Sequence, residues 1–242
     1  MSDAFLRAEM MLGPEAMDRL ARAHVAVFGL GGVGGFAAEG LARSGVGELT
    51  LIDHDTVGES NLNRQIGALR STLGLPKAEA MARRVADINP DCRVHPVAAR
   101  YEQAVREDFF QARYDYIVDA IDLVSCKLDL IQTALERGIP ILSALGTGNK
   151  LDPTLFRITD ISKTEGCPLA RVIRKELRRR GIRHHQVLFS PEPSRETDQR
   201  EAPPPGRRSV PASVVWVPGC AGLMIAGRVV LELAGWTEDA GA

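Results

Sequence analysis

The chain has 242 residues, a formal net charge of -1 and 45% hydrophobic residues. These values predict one large globular α/β unit, or one domain with an appended lobe, that buries a substantial core. The cysteines are far apart and form no CxxC pair, which argues against a disulfide framework and against a four-thiolate zinc site. They favour a reducing, cytoplasmic setting; the residues are Cys92, Cys126, Cys167 and Cys220.

Neither end of the chain resembles a targeting or membrane segment. The N-terminal stretch carries Asp3 and no apolar run of signal-peptide type, so we expect no export. The apolar stretch 217–236 is interrupted by Pro218, Arg228 and Glu232. A spanning helix needs about 20 clean apolar residues. The stretch therefore predicts a buried helix that packs back on the core, and no membrane contact.

Strand and helix patterns alternate through the first two thirds of the chain. In chain order they predict a strand over 25–28, a helix over 36–45, a strand over 48–55, a helix over 77–89, strands over 93–100 and 114–122, a helix over 126–138 and a strand over 141–146. This alternation indicates an α/β fold with a Rossmann-like, doubly wound, mainly parallel sheet.

The alternation of strand and helix patterns ends at Gly146. A strand is predicted over 156–161, followed by a basic segment over 167–185 in which His184 and His185 are expected at the surface. The stretch 190–209 is rich in Pro, Arg and Glu, which predicts a mobile surface loop. We therefore divide the chain into a nucleotide-binding region, 1–148, and a smaller substrate-binding part, 149–242.

A glycine-rich turn follows the first strand. Gly29, Gly31 and Gly34 fit GxGxxG, with Gly32 as an extra glycine, and Asp53 ends the second strand, where a carboxylate accepts ribose hydroxyls. The glycine pattern and Asp53 alone are as consistent with NAD or FAD as with ATP.

A polar run after Asp53 favours a triphosphate. An adenine dinucleotide needs no such cluster, whereas a triphosphate calls for cationic and amide donors. Lys77, near the start of the next helix, adds a point charge. The cofactor-binding candidates in this run are Asp55, Asn61, Asn63, Arg64, Gln65 and Lys77.

Two aspartates follow the buried strand in "DAID". Asp119 and Asp122 are hard oxygen ligands at the place where magnesium would bridge phosphates. Asp119 fits a strand-end hydrogen-bond acceptor equally well, so Asp122 is the predicted metal ligand.

These motifs, in this order, resemble the ThiF/MoeB superfamily of adenylating enzymes. The resemblance rests on "GLGGVG", "DHDTVGESNLNRQ", "GLPKAE" and "DAID". It implies attack of a carboxylate on the α-phosphate of ATP, with catalytic roles for Arg64, Lys77 and Asp122. It also implies a homodimer in which Arg7 reaches the γ-phosphate bound by the partner subunit.

The C-terminal part resembles the tRNA threonylcarbamoyladenosine dehydratase branch of that superfamily. The resemblance rests on "GTGNKLDPT", "DISKTEGCPLARVIRKELRRRGI" and "VPGCAGLMIAGRVV". It implies that tRNA is the substrate, that Lys150 and Lys163 meet it, and that a cysteine desulfurase system is a further candidate partner. Independently of the family, four basic residues fall along one face of a helix and suit a track of phosphates; they are Arg171, Arg174, Lys175 and Arg178.

Other functions remain open on the sequence alone. They are an activator of a Gly-Gly-tailed sulfur-carrier or ubiquitin-like protein, an NAD-dependent oxidoreductase, and a nucleotide-binding tRNA adaptor without catalysis. Cys167 invites a covalent role, but a lone cysteine is more often a packed residue.

Overall fold

The computed structural model describes residues 3–200 and 210–236. Its strands are β1 His24–Phe28, β2 Glu48–Ile52, β3 Arg93–Val97, β4 Tyr116–Asp119, β5 Ile141–Ala144, β6 Arg157–Asp160 and β7 Gln186–Phe189. Its α-helices are α1 Leu6–Leu12, α2 Pro14–Arg22, α3 Gly34–Arg43, α4 Lys77–Ile88, α5 Val124–Glu136, α6 Pro168–Arg179 and α7 Trp216–Leu233.

The seven strands form one sheet in the order β3-β2-β1-β4-β5-β7-β6. All neighbouring strands run parallel except β6 and β7, which are antiparallel. The predicted doubly wound, mainly parallel α/β fold is therefore confirmed. The strand order reverses between β1 and β4, and ligands of such folds bind beyond the carboxyl ends of the strands at this position.

The sheet continues past residue 148. Strand β7 pairs with β5, and β6 adds to its far side, so the N-terminal region and the C-terminal part share one sheet. Strand β7 was not predicted, because only four residues carry it and periodicity over so short a run is ambiguous.

Helix α7 packs against α3 along a stripe of small residues. A Cβ on Gly222 would lie 2.4 Å from the Val33 carbonyl oxygen, and one on Gly40 would lie 2.6 Å from the Ala226 Cβ. Glycine therefore allows the two helices their close approach. Helix α7 is long and apolar enough to span a membrane, but half of it is buried inside the fold.

The first residues of the predicted mobile loop are anchored. Ser190 and Glu192 are buried, and the Glu192 carboxylate accepts the backbone N–H groups of Leu151 and Asp152 at 3.0 and 3.1 Å. These hydrogen bonds offset the loss of conformational entropy on ordering, for which the composition alone predicts no compensation. The expectation of a mobile loop is thus wrong at 190–192, and residues 201–209 lie outside the described chain.

Candidate nucleotide-binding site

The glycine turn connects β1 to α3 and leaves no room for a side chain at Gly29 or at Gly34. Gly29 has φ +87°, and a Cβ there would lie 2.6 Å from the Ala120 carbonyl oxygen. A Cβ on Gly34 would lie 1.7 Å from the Gly29 carbonyl oxygen. The turn therefore packs directly on the chain that leaves β4, and α3 begins at Gly34 with its N–H groups at this edge.

Asp53 connects the glycine turn to the end of β2. One carboxylate oxygen accepts the Leu30 N–H at 2.7 Å, and the other accepts the Asp55 N–H at 2.8 Å. Asp53 is 8% exposed, and each oxygen keeps a second lone pair. The predicted ribose acceptor thus also holds the turn in position.

Lys77 and Asp55 form an ion pair beside this turn. The Lys77 Nζ lies 2.9 Å from Asp55 Oδ2, and Lys77 is 8% exposed. Burial raises the pKa of Asp55, but the hydrogen bond and charge of Lys77, with His54 and Arg100, outweigh it and lower the net pKa. The ammonium at the start of α4 thus has one carboxylate partner, with which a phosphate would compete.

The predicted amide and guanidinium donors lie on the segment between β2 and α4. The Arg64 Nη1 donates to the Ser60 carbonyl at 2.6 Å and to the Asn63 side chain at 2.9 Å. The glycine turn is close by, since a Cβ on Gly32 would lie 3.5 Å from the Arg64 carbonyl oxygen and one on Gly31 would lie 3.9 Å from the Gln65 side chain.

The two asparagines of this segment hold its backbone. The Asn61 side chain accepts the Gly58 N–H at 3.0 Å, and Asn63 donates to the Ser213 carbonyl at 3.0 Å. Asn63 therefore connects the candidate site to the chain that enters α7.

Asp119 and Asp122 have different surroundings. Asp119 is fully buried, and its Oδ2 lies 2.7 Å from the Lys127 Nζ, which is also buried. Its other oxygen accepts the Ile121 N–H at 3.0 Å. A carboxylate enclosed in this way does not reach a ligand, so the structure supports the strand-end acceptor and not the metal ligand. Asp122 is exposed on the turn that follows.

A cavity of about 300 Å³ lies beside Asp122. Its lining includes Leu123, Ser125 and Cys126 at the start of α5, and residues 102–104 from the segment after β3. The cavity thus lies between the segments that follow β3 and β4.

The predicted substrate residues fall into two groups. Arg171, Lys175 and Arg178 on α6 are exposed, as is Lys163. Arg174 instead donates to the Thr164 carbonyl at 2.7 Å. Lys150 is buried and donates to the Glu192 carbonyl. Burial lowers the pKa of Lys150, and the opposing charge of Glu192 does not outweigh it.

Lys150 is therefore enclosed in this conformation, and its predicted contact with a substrate stays a prediction.

Cys167 is the N-cap of α6. Its Sγ accepts the Ala170 N–H at 3.5 Å, and the residue is buried. A capping role accounts for this cysteine without covalent chemistry.

Lys127 was not singled out from the sequence, and His185 was expected in a different environment. His185 is buried, its Nε2 lies 2.8 Å from Ser143 Oγ, and burial together with the Lys127 charge lowers its pKa to about 3. The expectation that His185 lies at the surface is wrong, whereas His184 is exposed. A lysine within the apolar stripe of a helix was the available signal for Lys127, because it requires a buried partner.

A second cluster of potential metal ligands lies at the amino ends of the strands. In the described ranges, His24, Glu48 and His95 bring their ligand atoms within 4.8 Å of one another. The Arg93 guanidinium already pairs with Glu48. Because that pairing removes the negative charge that a divalent cation requires, we assign no metal there.

The phosphate-binding turn, the acidic residue at the end of β2 and the cationic segment beyond it define a nucleotide-binding α/β protein. Residues 5–240 match the model of the ThiF family. The chain belongs to the ThiF family.

The chain is also similar to individual characterised proteins. It is 44% identical over 238 residues to the tRNA threonylcarbamoyladenosine dehydratase of Bacillus subtilis, covering 95% of this chain and 94% of that protein. The crystal structure of Escherichia coli tRNA N6-threonylcarbamoyladenosine dehydratase, TcdA, in complex with ATP superposes with a TM-score of 0.86 and 35% identity. The match covers 97% of this chain and 96% of that one. The AMP complex of the same protein gives the same TM-score, at 34% identity.

Proposed function

We propose that this chain is an ATP-dependent tRNA threonylcarbamoyladenosine dehydratase. The proposal rests on one observation. The residues predicted to bind the nucleotide lie together at one edge of the sheet, in a chain that matches ATP-bound TcdA over nearly its whole length. The identity to a dehydratase of the same name over 95% of the chain supports the same substrate.

The reaction begins with adenylation of a carboxylate. The carboxylate of the threonylcarbamoyl group attacks the α-phosphorus of ATP, the bond to the β-phosphate oxygen breaks, and pyrophosphate leaves. A neighbouring nitrogen or oxygen of the modified group then attacks the acyl carbon and closes a ring, and AMP leaves with the carboxylate oxygen. The net change in the nucleoside is the loss of one water molecule.

The residues of the site suit this chemistry because two anions must approach each other. Lys77 and Arg64 carry positive charge where the pyrophosphate gains negative charge. The Gly29 and Leu30 N–H groups are donated within the protein, so the later part of the turn, up to Gly34, offers N–H groups to phosphate, and Asp53 offers acceptors to ribose hydroxyls. The cavity beside Leu123 has room for the adenine ring.

Magnesium fits the donor set at the end of β4. Asp122 offers an exposed carboxylate, a hard oxygen ligand, at the position from which phosphates are reached. Bound there, the ion would neutralise charge on the β- and γ-phosphates. Asp119, enclosed by Lys127, is not included in this set.

We further infer a homodimer in a cytoplasmic setting. Helix α1 exposes Leu6, Met10 and Met11 beside the exposed Arg7. Exposed apolar side chains of this kind favour burial against a second copy, which agrees with a role of Arg7 at the partner's γ-phosphate. A cysteine desulfurase system remains a candidate partner.

Helix α6 is proposed as the tRNA-binding surface. The double change Arg171→Ala/Arg178→Ala is expected to weaken tRNA binding at low salt. It should also lower the slope of log K against log salt by about 1.5, since each phosphate contact contributes about 0.7 to 0.9. Filter binding between 50 and 200 mM salt measures both effects. The matched control removes two arginines from other helices, Arg22→Ala/Arg83→Ala. An unchanged salt slope in the α6 variant contradicts the proposal.

The proposed function is tested on tRNA directly. Purified protein, incubated with ATP, magnesium and tRNA that carries threonylcarbamoyladenosine, is expected to produce a nucleoside lighter by one water, detected by mass spectrometry, together with AMP and pyrophosphate. ATP binding without AMP release would instead indicate a non-catalytic adaptor. An adenylate trapped on a Gly-Gly-tailed protein would indicate an activator of carrier proteins.

A further inference from the structure

A buried ion pair lies directly beneath the turn that carries Asp122. Lys127 and Asp119 are 1% and 0% exposed at their side chains, and their charged atoms are 2.7 Å apart. Taking two charges out of water costs several kcal/mol per ion, so such a pair often contributes little net stability. Its geometry therefore suggests a role other than stability alone.

The pair connects the two elements that flank the turn. Asp119 is the last residue of β4, and Lys127 lies in the first turns of α5. The Asp119 carboxylate is shared between them, because Oδ2 accepts from Lys127 and Oδ1 accepts the Ile121 N–H at 3.0 Å. The chain between β4 and α5 is thus held at Ile121, one position before Asp122.

The glycine turn packs on the same short segment. A Cβ on Gly29 would lie 2.6 Å from the Ala120 carbonyl oxygen and 3.3 Å from the Ile121 nitrogen. A shift of residues 120–121 would therefore also disturb the phosphate-binding turn. Strand β5 also borders this ion pair, because Ser143 on β5 is the register partner of Asp119. The Ser143 hydroxyl is hydrogen-bonded to His185.

We propose that Lys127 and Asp119 are positioning residues: the Lys127 ammonium fixes the Asp119 carboxylate, and Asp119 accepts the Ile121 N–H so that Asp122 is presented to the magnesium nucleotide. Neither residue contacts the substrate. This inference rests on the proposed function for its consequence in catalysis, but not for its structural claim.

Two uncharged double variants separate positioning from charge. In Asp119→Asn/Lys127→Met the amide oxygen still accepts the Ile121 N–H, whereas in Asp119→Ala/Lys127→Met no acceptor remains. Both variants lack the buried charges, so both avoid the penalty of an unpaired ion. The single variant Lys127→Met leaves Asp119 unpaired and is expected to have a Tm lower by about 10 °C.

The first readout is ATP–pyrophosphate exchange as a function of free magnesium, at saturating ATP and in the presence of tRNA that carries threonylcarbamoyladenosine, whose carboxylate forms the adenylate. We expect Asp119→Ala/Lys127→Met to need roughly tenfold more magnesium for half-maximal exchange, and Asp119→Asn/Lys127→Met to stay within about threefold of the wild type. The control Arg106→Met breaks a different ion pair of α5, with Asp129, and should leave the magnesium dependence unchanged. Equal magnesium dependence of the two double variants would overturn the inference.

The second readout does not depend on activity. Amide hydrogen exchange at Ile121 should be slow in the wild type and in the asparagine double variant, and about tenfold faster in the alanine double variant. If the wild type shows no pyrophosphate exchange, the proposed function fails while this measurement still decides the structural claim. Equal protection of Ile121 in both double variants would contradict the positioning role.

Discussion

Replacement of Asp122 by alanine is expected to reduce ATP–pyrophosphate exchange, measured with tRNA that carries threonylcarbamoyladenosine, by roughly a thousandfold, to the background of the assay. Asp122 is the exposed carboxylate at the end of β4, and removal of a metal ligand or of a charge-stabilising group in the transition state typically costs two to three orders of magnitude. The folded state should be unaffected, because the side chain is at the surface.

A matched control distinguishes this role from a general effect of removing an acidic residue. Asp87 is exposed on α4, and Asp87→Ala should leave exchange unchanged. The two variants are compared at equal Tm and over a range of magnesium concentrations. Exchange within a factor of three of the wild type in Asp122→Ala would refute the assignment of Asp122 as the magnesium ligand.

Replacement of Gly34 by alanine is expected to have the second large effect. The new Cβ would lie 1.7 Å from the Gly29 carbonyl oxygen, so the backbone of the turn must shift. We expect a loss of stability of more than about 4 kcal/mol, together with loss of ATP binding, since overpacking against backbone cannot be relieved by a rotamer change.

Gly227→Ala on α7 is the control for this substitution. A Cβ on Gly227 meets nothing within 4 Å, so alanine in this exposed helical position should stabilise the protein by about 0.5 to 1 kcal/mol. Thermal unfolding and titration with a fluorescent ATP analogue measure both variants. A Gly34→Ala protein with wild-type Tm and ATP affinity would show that the turn is not packed as described.

Local patterns predicted the strands up to β5, and they also predicted β6 as a strand over 156–161, but they missed β7. Each of the strands β1, β2 and β4 is an apolar run that ends near a turn signal, and each helix between them has an apolar stripe with a polar face. The edge of the sheet formed by β7 and β6 could not be predicted in the same way. Its pairing is between segments separated by the whole of α6, and no local pattern specifies that order.

Among the site residues, too, the environment of some could be predicted from the sequence and that of others could not. Lys77 is paired with Asp55, as their positions on neighbouring segments allow, and Asp122 is exposed as a ligand requires. Lys150 and His185, however, are buried, although their residue types favour the surface. Composition describes the average environment of a residue type, whereas burial of a particular lysine depends on whether a partner such as Glu192 is brought to it from a distant segment.

The sequence by itself determined the alternation of strands and helices, the phosphate-binding turn and the donors that favour ATP, because these depend on neighbours in the chain and on residue chemistry. Only the tertiary structure decided which of the two acids in "DAID" faces solvent. Asp119 and Asp122 are alike in sequence, but Lys127 on α5 encloses one of them, because its ammonium reaches the Asp119 carboxylate at the end of β4. Packing between distant segments, which no local pattern encodes, therefore distinguishes Asp119, the proposed positioning residue, from Asp122, the predicted ligand.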